Sequence, residues 1–160
     1  MARLFDFPNP VNEIAARTVA AGVVAMATLY LLTGSGFVLA IFTYGFVARV
    51  LTGPTLSPLG QLATRVVAPA IGRARFVPGP PKRFAQGIGA TFTLTASVAH
   101  VAGAGSVAAA LVAAIALAAT LEAVLAVCLG CHAFAWLMRL GVVPDDVCED
   151  CADIWSRQAA

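Results

Sequence analysis

Residues 107–127 read VAAALVAAIALAATLEAVLAV, an unbroken apolar run with a single ionisable side chain, Glu122. At about 1.5 Å per residue, a helix of this length covers the roughly 30 Å hydrocarbon core of a bilayer. No face of it is set aside for water, so lipid suits it better than a soluble core.

Three further apolar runs lie at 14–32, 37–51 and 84–101. Thr33-Gly34-Ser35-Gly36 separates the first two, and Gly103-Ala104-Gly105-Ser106 separates the last two, so the runs fall into two helical hairpins. Asn12 is placed to cap the first helix after a proline-rich, extended lead-in, and Arg17 is close enough to the end of that helix to snorkel. The second run is short for a full crossing. Between the hairpins, Leu59, Leu62, Ala63, Val66, Val67, Ala70 and Ile71 recur at three- and four-residue steps. This predicts an interfacial amphipathic helix over 57–72, started by Ser57 and Pro58 and kinked at Pro69. Pro78-Gly79-Pro80-Pro81 reads as a stiff linker. Beyond residue 127 the helical pattern continues through Cys128, Phe134, Leu137 and Leu140 to Gly141 and Pro144, which predicts that the fourth helix protrudes into a cytosolic, cysteine-bearing tail, 128–160. The expected fold is all-α: one integral membrane domain, 1–160, of four transmembrane helices as two hairpins plus the interfacial helix.

Composition and charge agree with that reading. The chain is 60% hydrophobic and 11% charged over 160 residues, where a soluble domain is nearer about half apolar. All ten Lys and Arg residues fall in the N-terminal segment, the middle connection or the C-terminal segment, and the two glycine-rich turns carry none. Cytoplasmic segments of membrane proteins are enriched in Lys and Arg. The pattern therefore predicts a multi-pass protein of the bacterial inner membrane with both termini cytoplasmic. Neither a cleavable leader nor a lipidation motif is expected. The net charge of +2, with no basic run, argues against nucleic acid as a partner.

Chemistry concentrates in four cysteines, arranged as the C-x-x-C pairs Cys128/Cys131 and Cys148/Cys151. In a reducing compartment such pairs point to metal or redox chemistry. Cys128-Leu129-Gly130-Cys131-His132 also matches the c-type haem attachment motif, but that chemistry belongs to the outer face and the predicted topology opposes it. The first reading is a dithiol at the membrane's cytosolic edge that exchanges with a disulfide or carries a sulfane sulfur, with Cys128 and Cys131 as the exchanging pair and Cys148 and Cys151 as a resolving pair. Gly130 lends the backbone freedom for a disulfide in a helix, while a helix C-terminal half fails to stabilise a thiolate. The second reading is a non-enzymatic module with a zinc ion held by Cys128, Cys131, Cys148 and Cys151, favoured by the nearby Asp145, Asp146, Glu149 and Asp150. The third is a small transporter subunit using Glu122, an intramembrane carboxylate for which Arg17, Thr43 or Tyr44 are the expected partners. His100 reads as an interfacial residue. Gly87, Gly89 and Ala90 permit close helix packing within one chain or between copies, which allows a homo-oligomer.

The segment Phe7-Pro8-Asn9-Pro10-Val11-Asn12-Glu13, the four-run layout, and Leu121-Glu122-Ala123 leading into Cys128-Leu129-Gly130-Cys131-His132 resemble the bacterial membrane family called domain of unknown function 4395. The resemblance covers most of the chain. It implies that the C-x-G-C pair of that family falls on Cys128, Gly130 and Cys131, whereas His132 departs from the aromatic residue more usual after it. The resemblance also implies an association with thioredoxin-like or sulfurtransferase proteins, and no established activity.

Overall fold

The computed structural model describes residues 7–72, 75–144 and 147–148. Among the described residues the regular structure is all-helical apart from one pair of two-residue strands, β1 (Val11–Asn12) and β2 (Phe76–Val77), which run antiparallel with Val11 opposite Val77 and Asn12 opposite Phe76. Four long helices form the bundle: α1 (Glu13–Thr33), α2 (Gly36–Thr52), α5 (Gly79–Val101) and α6 (Gly105–Leu125). Each of α1, α6, α5 and α2 packs on the next in that order, and α2 closes the ring on α1. Two of them, α1 and α6, are long and apolar enough to cross a membrane by length and composition, and α2 is a shorter apolar helix.

Capping explains where the helices begin. Asn12 accepts the Ile14 N–H at 2.9 Å, and Gly34 ends α1 in the left-handed conformation with its N–H on the Tyr30 carbonyl. The connection holds α3 (Pro58–Leu62), a π-helical turn (Ala63–Val67) and α4 (Ala68–Ile71), one after the other without a break. Ser57 caps α3 through the Gly60 N–H. The expected kink at Pro69 takes the form of the π turn: proline has no N–H to return, and the Ala68 N–H reaches back to Ala63 instead.

Two expectations are corrected. Pro78-Gly79-Pro80-Pro81 is no linker, because Gly79, Pro80 and Pro81 form the first turn of α5, where a missing N–H costs nothing. Gly79 is needed there because a Cβ would stand 2.5 Å from the Pro8 carbonyl oxygen. The long protruding helix is also absent. α6 stops at Leu125 and a separate helix, α7 (Leu129–Arg139), begins after Cys128 and packs back on α5.

Contacts along the bundle place its two ends. At the turn end, the Tyr30 hydroxyl meets His100 Nδ1 at 3.1 Å. At the other end the basic residues are tied to helix termini. Arg17 donates three hydrogen bonds to the Ala123 and Val124 carbonyls, and Arg83 donates to the Val50 carbonyl. Arg49, buried in α2, donates to Gln86 Oε1 at 2.8 Å and to Ser57 Oγ at 3.3 Å and lies over the Phe46 ring. The core between these ends is built from small residues, among them Ala27, Ala96 and Ala108, with Leu39 and Val112 filling the larger gaps.

Candidate functional site: a disulfide at a helix N-terminus

The break after Leu125 decides the chemistry of the cysteines. Ala126 takes the left-handed conformation (φ 57°), its N–H bonding the Glu122 carbonyl and the Val127 N–H the Leu121 carbonyl. Glycine is the residue that usually takes this left-handed position past a helix end. Arg17 takes the Ala123 and Val124 carbonyls, which helps this end to close without one. The chain then reverses, and Cys128, in extended conformation, becomes the N-cap of α7. Its Sγ accepts the Cys131 N–H at 3.3 Å, and its carbonyl accepts the N–H groups of Cys131 and His132.

Cys128 and Cys131 are joined in a disulfide, Cα atoms 5.2 Å apart, inside the ordinary range for such bridges. Since Cys128 lies outside the helix, the bridge asks nothing unusual of helical geometry. Gly130 therefore serves another purpose than the one expected: a Cβ there would come within 2.5 Å of Ala85 Cβ, so the glycine lets α7 lie against α5. The expectation that the pair sits in a helix C-terminal half is overturned too. Both sulfurs are at a helix N-terminus, where exposed N–H groups and the helix dipole stabilise a thiolate.

The two sulfurs face different surroundings. Cys128 is 7% exposed, and Cys131 is half-buried. Cys128 lines a cavity of about 350 Å³ between α1, α5, α6 and α7 whose walls are apolar except for Gln86 and Glu122. Both cysteines line a second chamber of about 110 Å³, bounded by Val77, Pro78, Pro81, Lys82 and His132. Lys82 pairs with Glu122, joining the start of α5 to the end of α6 with both side chains largely covered. None of the expected partners serves Glu122. Arg17 caps α6, Thr43 bonds Ser97 and the Thr93 carbonyl, and Tyr44 bonds the Leu56 carbonyl. Lys82 went unrecognised because the proline run concealed the helical turn that carries it to α6.

Cys148 packs with Phe134 and Met138 of α7 and with Phe84, and it too is disulfide-bonded. Cys151, together with Asp145, Asp146, Glu149 and Asp150, lies outside the described residues. Among the described residues no three His, Cys, Asp or Glu side chains come together as a metal site would require. His100 is held by Tyr30, remote from the cysteines at the turn end of the bundle.

The family described as Domain of unknown function (DUF4395) matches residues 11–139, a stretch that takes in the whole bundle and the first cysteine pair. No curated protein and no solved structure matches the chain.

Proposed function

The chain belongs to the family of Domain of unknown function (DUF4395), and from that premise we propose that it is a membrane-embedded carrier of thiol–disulfide exchange, or of the related relay of a sulfane sulfur, acting through Cys128 and Cys131. The observation that carries the reading is the placement of the pair: a disulfide across the first turn of α7, with the buried Cys128 as N-cap and Cys131 more open.

The direction of attack follows from that placement. An incoming thiolate reaches Cys131 Sγ, the S–S bond breaks, and Cys128 leaves as a thiolate whose charge falls on the amides of α7. A sulfur stabilised as an anion is the better leaving group. The mixed disulfide therefore forms on Cys131, and Cys128 resolves it. A thioredoxin-like or sulfurtransferase protein fits the partner's role, and Cys148 with Cys151 fits that of a second, resolving pair.

All four long helices are membrane spans in this reading, one domain of two hairpins with α3 and α4 in the interface. Supporting it, the most apolar windows of α1 and α6 are only 33% and 22% buried, whereas the core helix of a soluble protein is mostly buried. Leu32, Phe37, Val98 and Leu117 all stand outward. Arg17, Arg49, Lys82 and Arg83 gather at the end of the bundle opposite the uncharged turns, which supports a cytoplasmic location for that end and its cysteines, and with it cytoplasmic termini, in a bacterial inner membrane.

Cys128→Ser and Cys131→Ser variants test the exchange. With Cys128→Ser, a mixed disulfide between Cys131 and a thioredoxin-like dithiol protein accumulates in native membranes and is released by reductant. With Cys131→Ser it is lost. Equal trapping by both variants refutes the assignment. A zinc content of about one per chain in protein purified under reducing conditions, lost on mutating either pair, would favour the four-cysteine metal site instead. For Glu122, the ion pair with Lys82 supplies a structural role beside the transport reading.

A further inference from the structure

The 350 Å³ cavity beside Cys128 is not required by exchange with a soluble partner, because such a partner meets the pair from the side of Cys131. Its shape and chemistry point elsewhere. It follows α6 from Ala114 to Glu122, about 12 Å at the helical rise, and ends against the first turn of α7. Its volume lies within the range of small-molecule sites, about 300–1,000 Å³. Ile88 and Ala114 on its walls are exposed, so it opens sideways between α5 and α6, on the apolar flank of the bundle. An occupant arriving by that route comes from the lipid phase.

The polar groups are confined to the cysteine end. Gln86 has its Oε1 taken by Arg49, which leaves its NH2 group to donate, and Glu122 is held by Lys82. Cys128, the leaving sulfur of the exchange proposed above, lines the same end. A ligand suited to these walls is apolar along its length, has oxygens that accept hydrogen bonds at one tip, and takes up two electrons from a dithiol.

We infer that the cavity binds a lipid-soluble quinone, which reoxidises the reduced Cys128–Cys131 pair. The inference rests on the exchange activity proposed above. The reaction balances without a further reagent: two S–H bonds break and one S–S bond forms, while the two electrons and two protons convert the quinone carbonyls to the two hydroxyls of a hydroquinone. The soluble dithiol partner then supplies the next two electrons by exchange at Cys131, so the cycle moves electrons from protein thiols into the membrane's quinone pool.

The test uses full-length protein in lipid nanodiscs, reduced with dithiothreitol, freed of reductant and mixed with decylubiquinone. Quinone absorbance and free thiols are followed together, and the Cys128→Ser/Cys131→Ser double variant gives the background. The expected result is about one quinone reduced per pair, with the disulfide re-formed. Ala118→Phe, which fills the cavity wall, is expected to slow this at least tenfold, and Ala118→Leu less, with melting temperatures reporting that both fold. A wild-type protein that exchanges with dithiothreitol but consumes no quinone overturns the inference and leaves the exchange activity standing, as does quinone reduction at the wild-type rate in Ala118→Phe. A pair that dithiothreitol does not reduce, in a protein that consumes no quinone, overturns both.

Discussion

Gly130 of α7 and Ala85 of α5 meet backbone to side chain, with no room between them for even a methyl group. This contact helps to seat the first turn of α7, and with it the disulfide, on the bundle. Phe84 and Phe134 extend the seat on the outer side, ring centroids 5.5 Å apart.

Gly130→Ala is therefore expected to lift α7 from α5 and to destabilise the protein by about 1–3 kcal/mol, the usual cost of overpacking. Adding Ala85→Gly removes the nearer obstruction but leaves the residue-85 Cα, 2.7 Å from the added methyl, so it should recover only a small part of that loss. Thermal unfolding in detergent measures both, and a Gly130→Ala protein as stable as wild type would show that the contact is slack.

The ion pair of Lys82 and Glu122 predicts an asymmetry between single and double variants. Removing one partner strands a largely covered charge, for which about 3–5 kcal/mol is typical of a fully buried pair and somewhat less is expected here. Lys82→Met with Glu122→Leu removes both charges and should be milder than Glu122→Leu's opposite, Lys82→Met alone. A double variant no more stable than Lys82→Met alone would mean that Glu122 has another partner.

Arg17 predicts a local effect. Its three bonds to the Ala123 and Val124 carbonyls replace a glycine cap, so Arg17→Met should loosen the reversal at 126–128, at about 1.5–3 kcal/mol for hydrogen bonds from a charged group. Amide hydrogen exchange is expected to rise there and not in α2. Uniform change along the chain would contradict a capping role.

Sidedness is open to a direct measurement. In a background with all four cysteines replaced by serine, Ser35→Cys and Ser106→Cys at the turn end should react with a membrane-impermeant maleimide in intact cells. Thr55→Cys, exposed at the basic end, should react only after lysis. The reverse pattern would turn the protein over and bring the cysteines to the outer face.

The helical runs could be read from the sequence because lipid-length hydrophobicity and glycine turns are local signals. The predicted 14–32 and 107–127 became Glu13–Thr33 and Gly105–Leu125, and Ser57 and Asn12 cap as their types suggest. The cysteine pair itself was equally visible. Its setting was not, since the end of α6 is made by an alanine in a left-handed conformation and by an arginine more than a hundred positions away. Neither leaves a pattern in the neighbouring residues. For the same reason the partnership of Lys82 with Glu122 and the pairing of β1 with β2 were hidden: each joins segments whose proximity only the bundle creates.

The short ladder between β1 and β2 has a bearing on how freely this chain can vary. Asn12 and Phe76 are paired, the Glu13 N–H reaches the Arg75 carbonyl, and the Gly79 N–H reaches Asn9 Oδ1. Both hairpins are thereby laced together at their starting points, independently of the stretch that runs between them. A graft inserted after Gly72, where a side chain would meet open space, should leave the thiol chamber undisturbed. The connector is thus the natural seam at which a soluble companion domain can be spliced onto this scaffold without disturbing its disulfide.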